Sequence, residues 1–232
     1  VLSPSAILGY GFPKESFEEG MKRHPDVIAC DAGSSDPGPY YLGAGISFTD
    51  VAAVKRDLSI MIPAAIKAGI PVIVGTSGGS GATPHLEINR RLVMEIAEEH
   101  HLSFKYAEIS AEFDKETIRY NLKEGRISPL GPVPDLTDKD IDEAVHIVAQ
   151  MGEEPYMEAL KGGAQVIMAG RSYDPAVFAS LAITKGFDKA LALHMGKILE
   201  CAAICALPGS GSDCMFGYLY EDHFEVETLS PA

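Results

Sequence analysis

Residues 70–85, "IPVIVGTSGGSGATPH", decide the fold. Ile70, Val72, Ile73 and Val74 form a short run of β-branched side chains with no polar interruption. Such a run predicts a strand buried on both faces rather than a half-exposed one. Gly75 to His85 then make a glycine-rich polar loop, and "HLEINRRLVMEIAEEHH" follows with Ile88, Leu92, Val93 and Ile96 at helical spacing. Strand, loop and helix in that order form the repeating unit of a parallel sheet.

Outward from this unit the pattern recurs. "SAILGYGF" (5–12), "DVIACD" (26–31), "SFKYAEIS" (103–110) and "AQVIMAG" (164–170) read as strands. "PKESFEEGMKRH" (13–24), the stretch from Asp50 with Val51, Val54, Leu58, Met61 and Ala65, and "DKETIRYNLKEGR" (114–126) read as helices. Pro63 is expected to bend or break the second of these. "TDKDIDEAVHIVAQM" (137–151) reads as helical, with Thr137 and Asp140 spaced as a capping box. "KALALHMGKILECAAICA" (189–206) reads as one long apolar helix, and "GSGSDCMFGYLYEDHFEVETL" (209–229) as a turn and hairpin. The expected class is α/β, a mostly parallel sheet with helices on both faces in a Rossmann-like three-layer architecture. Residues 1–232 are expected to form a single domain, with a sub-boundary near 127–137, where three prolines fall in the loop "ISPLGPVPDL". The start at Val1 and the stop at Ala232 fit a piece of a longer protein.

Bulk properties narrow the function. The 232 residues are 46% hydrophobic, and 19 basic against 33 acidic residues give a net charge of -14. A nucleic-acid partner needs clustered cations, so that class is set aside. No apolar run approaches the roughly 18–20 residues of a membrane span. Cys30, Cys201, Cys205 and Cys214 contain no CxxC pair and read as reduced, mostly buried thiols of a cytoplasmic protein.

Ligands of open parallel sheets bind outside the carboxyl ends of the strands. Three unusual loops fall at such ends. In "DAGSSDPGPYYLG" (31–43), Asp31 and Asp36 are candidate general acid and base, Ser34 and Ser35 offer hydroxyls, and Tyr40 and Tyr41 can stack on a ligand. The competing reading makes Asp31 a helix cap and the tyrosines core. Two carboxylates also leave a divalent metal open, though no cofactor is identified. In the second loop Thr76, Ser77, Gly78, Gly79, Ser80 and Gly81 precede a helix N-terminus and suit an anion, without matching GxGxxG or a P-loop. In "GRSYDPAVF" (170–178), Arg171 can clamp a carboxylate, with Asp174 orienting it or pairing with it. On the long helix His194, Lys197, Glu200 and Cys201 share a face, and Lys197 with Glu200 is either a structural pair or an acid–base pair.

"CDAGSSDPGPYYLG", "GTSGGSGA", "GRSYDPAVFA" and "HMGKILECAA", in this order, resemble the N-terminal domain of the acyclic terpene utilisation family (AtuA-like). The resemblance implies a further C-terminal portion and a setting in acyl-CoA and terpenoid catabolism. It places family-motif residues at Asp31, Ser34, Asp36, Tyr40, Tyr41, Gly78, Gly79, Gly81, Arg171, Asp174, Lys197 and Glu200. Together these readings favour an enzyme acting on a small carboxylate or acyl-CoA, a lyase of the hydratase type. A hydrolase with carboxylate-activated water, and a non-catalytic acyl-CoA-binding or scaffold subunit, are the alternatives. The expected partner is a small-molecule carboxylate or acyl-CoA substrate, with no nucleic acid and no membrane; a homo-oligomer or a missing C-terminal portion is left open.

Overall fold

The computed structural model describes residues 1–34 and 37–230. Its centre is a seven-stranded sheet in the order β4-β5-β3-β2-β1-β6-β7. The strands are β1 (Leu2–Ser3), β2 (Ile28–Asp31), β3 (Val72–Gly75), β4 (Tyr106–Ile109), β5 (Val166–Ala169), β6 (Met215–Leu219) and β7 (Phe224–Thr228). β1 to β5 run parallel, with Ile28 opposite Val72 and Val72 opposite Val166. The hairpin β6–β7 adds antiparallel to β1.

Nine α-helices lie among the described residues: α1 (Lys14–Lys22), α2 (Pro39–Ala44), α3 (Val51–Ala68), α4 (Thr83–Glu99), α5 (Lys115–Lys123), α6 (Asp138–Glu143), α7 (Glu154–Lys161), α8 (Asp174–Thr184) and α9 (Lys189–Leu199). Side chains alternate across a strand, and here both sets are buried. Ile28, Cys30, Val72, Val74, Val166 and Met168 pack with Leu58 and Met61 of α3 and Val93 and Ile96 of α4. Ala29, Ile73, Ile167 and Ala169 pack on the other face with Tyr156 of α7, Val177 and Phe178 of α8 and Met195 of α9. That double cover explains the unbroken apolar runs and gives the three-layer α/β architecture.

Four local expectations are corrected. Residues 5–12 are not a strand; the only pairing there is the two-residue β1 before them. Gly9 and Gly11 have φ of 101° and 82° and wrap their amides around the buried Asp57 carboxylate at 2.8 and 3.1 Å. Pro63 does not break α3, which runs through it with Leu58, Met61, Ile62 and Ala65 buried nearby. The 137–151 segment is helical only over α6, although Thr137 and Asp140 do cap it reciprocally. The 189–206 helix stops at Leu199, because the Glu200 carbonyl accepts from Ser34 Oγ at 3.3 Å and Ala202 turns left-handed at φ 48°.

Candidate functional site

β2, β3 and β5 are neighbours, so their carboxyl ends open on one edge. The loop after β3 leads to α4 on one face of the sheet, and the loop after β5 leads to α8 on the other. Adjacent strands whose connections part to opposite faces leave a crevice between them, the usual ligand position in such sheets. The three loops meet there. Thr76 N–H donates to the Gly170 carbonyl at 3.0 Å. A Cβ on Gly33 would stand 2.3 Å from Thr76 Cγ2, and one on Gly81 would stand 2.1 Å from Arg171 N. Thr76 itself is buried at φ 46°, a left-handed conformation that a β-branched residue holds only under strain.

Asp31 closes β2 and is fully buried. Its Oδ2 accepts from Gly33 N–H at 2.7 Å and from Ser34 Oγ at 3.3 Å. Its Oδ1 has no hydrogen-bond partner among the described residues. Burial first, and the charge of Asp174 second, push its carboxyl up to about 7. The Gly33 amide opposes this, as does the nearby Thr76 hydroxyl, which makes no geometrically sound bond to Oδ1. The helix-cap reading of Asp31 has no support, since its bonds stay within residues 31–34 and do not reach a helix.

Two more carboxylates converge. Asp174 is the first residue of α8, and its carboxyl is raised by burial and then by the Glu200 charge, against the pull of Arg171 and Lys197. Glu200 is 1% exposed and takes an ion pair from Lys197 through Oε1. Asp174 Oδ1 and Glu200 Oε2, like Asp31 Oδ1, are buried without a hydrogen-bond partner among the described residues. Lys197 is held protonated, above its ordinary range, by its bond to Glu200, while its side chain remains 60% exposed. Three carboxylates thus stand close enough for their charges to act on one another, beside an ammonium that faces solvent.

The other expected residues are placed as follows. In the glycine loop, Gly79 and Gly81 donate their amides to Thr76 and Ser77 carbonyls at 2.9 and 3.0 Å, and the Ser80 amide also turns back to Ser77. The N-terminal amide of α4, from Thr83, is taken by Glu112 at 2.7 Å. The glycines serve close packing: a Cβ on Gly78 would meet His85 at 2.7 Å, and one on Gly79 would meet Phe48 at the same distance. Ser77 Oγ is buried and has no hydrogen-bond partner among the described residues. Tyr40 and Tyr41 lie on α2, edge to face at 5.3 Å, with Tyr40 69% exposed. Ser35 and Asp36 lie outside the described residues. His194 makes an edge contact with Phe224 at 5.0 Å. Cys201 opens a 3-10 turn beyond α9; it and Cys205 are not buried, whereas Cys30 and Cys214 are.

Sequence reasoning missed Tyr156 and Ser172. Ser172 Oγ donates to the Gly170 carbonyl at 2.8 Å, so the hydrogen bond between Tyr156 and Ser172 is donated by the phenol. Both stand behind Asp31: Asp31 Oδ1 and Tyr156 Oη flank the same Gly75 position. Ser172 lay inside a quoted motif, and "EPY" at residues 154–156 carries proline at a helix start, so a signal existed for each. Among the described residues no three His, Cys, Asp or Glu side chains are arranged to hold a metal ion. No helix among them is long and apolar enough to cross a membrane.

The sheet and its edge define an α/β protein with a buried carboxylate cluster at the carboxyl ends of adjacent parallel strands. The model of the acyclic terpene utilisation family protein AtuA matches residues 51–209, more than half of the chain, and the protein belongs to this family. The matched range includes the glycine loop, Arg171, Asp174, Lys197 and Glu200; the Asp31 loop precedes it. No curated protein and no solved structure matches the chain.

Proposed function

We propose that this protein is an acid–base enzyme of acyclic terpene catabolism, a lyase of the hydratase or dehydratase type acting on a carboxylate or its acyl-CoA. The observation that carries the reading is Asp31, fully buried at a strand end, with Oδ1 lacking a partner among the described residues and its carboxyl pushed up to about 7. A carboxyl at that value exists in both forms at neutral pH and can take or give a proton with little driving-force penalty. In the dehydrating direction Asp31 removes the proton next to the substrate carbonyl. Lys197, kept protonated by Glu200, gives a proton to the departing hydroxyl, which leaves as water as the double bond forms. Asp174 stands between them electrostatically and tunes both. Asp31→Asn preserves shape but cannot move a proton. Turnover of a 3-hydroxyacyl substrate or its unsaturated product should fall about 100-fold or more, with ligand affinity retained. Unchanged turnover in a folded Asp31→Asn protein would overturn the assignment. Ligand binding without turnover in the parent would favour the binding-subunit reading.

A further inference from the structure

In the glycine loop, the expected anion site, the amides of Gly79, Ser80 and Gly81 and that of Thr83 at the α4 N-terminus are engaged within the protein. A different group is available. Resting on the acid–base reading of the Asp31 cluster, we propose that the substrate presents a free carboxylate, bound by Arg171 in a cleft built from all three strand-end loops. That cleft, of about 240 Å³, is lined by Gly38 and Pro39 from the loop after β2, Ser80 from the loop after β3, Arg171 from the loop after β5, and Leu42 and Val148.

Arg171 is set apart from the other arginines. Arg23, Arg56, Arg90, Arg119 and Arg126 each pair with a carboxylate within 4.0 Å. Arg91 makes no such pair but lies exposed on α4. Arg171 is half-buried and has no ion pair among the described residues. Asp174 feels its charge without reaching it, so the competing internal pair does not form. A guanidinium with its fork unused, beside the Ser80 hydroxyl, matches the two oxygens of a carboxylate. Pro39, Leu42 and Val148 supply an apolar wall for a branched hydrocarbon chain. The polyphosphate of a CoA carrier needs several cations, and this cleft has one, in a chain of net charge -14.

The test is direct binding, read without turnover, of isovalerate, its methyl ester and isovaleryl-CoA by ligand-detected NMR and calorimetry. The parent should bind isovalerate and not the ester. Arg171→Leu should weaken isovalerate by about tenfold to a hundredfold, and Arg171→Lys should restore only part, because a point charge lacks the fork. Thermal melting of each variant establishes that it is folded. Asp31→Asn should bind isovalerate at least as well as the parent, so lost catalysis and lost carboxylate binding are separable. The proposal is overturned if isovalerate does not bind the parent, if a folded Arg171→Leu binds it equally, or if only the CoA thioester binds.

Discussion

Asp31 is held where a charge is costly, and its protonation therefore links to stability. Its carboxyl sits near 7 in the fold against an ordinary 3.8. Between those values the folded protein keeps a proton that the unfolded chain has released. The favourable contribution is complete below the unfolded value and is lost as pH rises to about 7. Asp31→Asn carries no charge at any pH, and its amide can still accept from Gly33. At pH 8 it should be more stable than the parent by on the order of 1–4 kcal/mol, and at pH 4 nearly equal. Urea melts at the two pH values check this; a variant no more stable at pH 8 would mean the buried charge is compensated. Behind Asp31, Tyr156→Phe removes the phenol's bond to Ser172 and should cost about 1 kcal/mol.

At the scale of elements, the glycine loop is a packing device between β3, α4 and the loop after β5. Gly81 has φ of 74° and stands where any Cβ would strike the Arg171 backbone at 2.1 Å. Gly125 has a similar φ of 67° with no atom within 4 Å of its Cβ position. Gly81→Ala should therefore cost about 2–4 kcal/mol, while Gly125→Ala should cost only about 1 kcal/mol of backbone strain. Equal losses in denaturant titrations would show that conformation alone, and not the meeting of the loops, requires Gly81. Helix α8 illustrates burial from all sides: Pro175 to Ser180 are all buried, so it has no polar stripe.

For the whole molecule, the proline-rich segment at 127–137 divides the sequence without dividing the sheet. β4 precedes it, β5 follows it, and they pair in register from Tyr106 opposite Val166 to Ile109 opposite Ala169. We therefore expect one cooperative unfolding transition for the chain. Limited proteolysis that cuts within 127–137 should leave the two pieces associated through a gel-filtration column. Separation into two independently folded pieces would establish a domain boundary there.

The sequence by itself determined the parallel α/β class, because buried strands need apolar residues on both faces and leave no alternation. It also marked the three strand-end loops, since dense Gly, Pro, Ser and Asp serve no purpose in a core, and it singled out Arg171, Asp174, Lys197 and Glu200. It did not reveal α8, whose all-round burial erases the 3.6-residue period, nor the end of α9 at Glu200, which depends on Ser34 reaching across 166 positions of chain. The contact of His194 with Phe224 and the 3-10 turn at Cys201 likewise depend on residues distant in the chain. Tertiary structure alone decided that the amides of Gly79, Ser80 and Gly81 would serve the loop itself, that Arg171 would have no ion pair among the described residues, and that Tyr156 would stand behind Asp31. Such choices depend on which strands become neighbours, and a chain fixes its neighbours only when remote apolar faces are buried together.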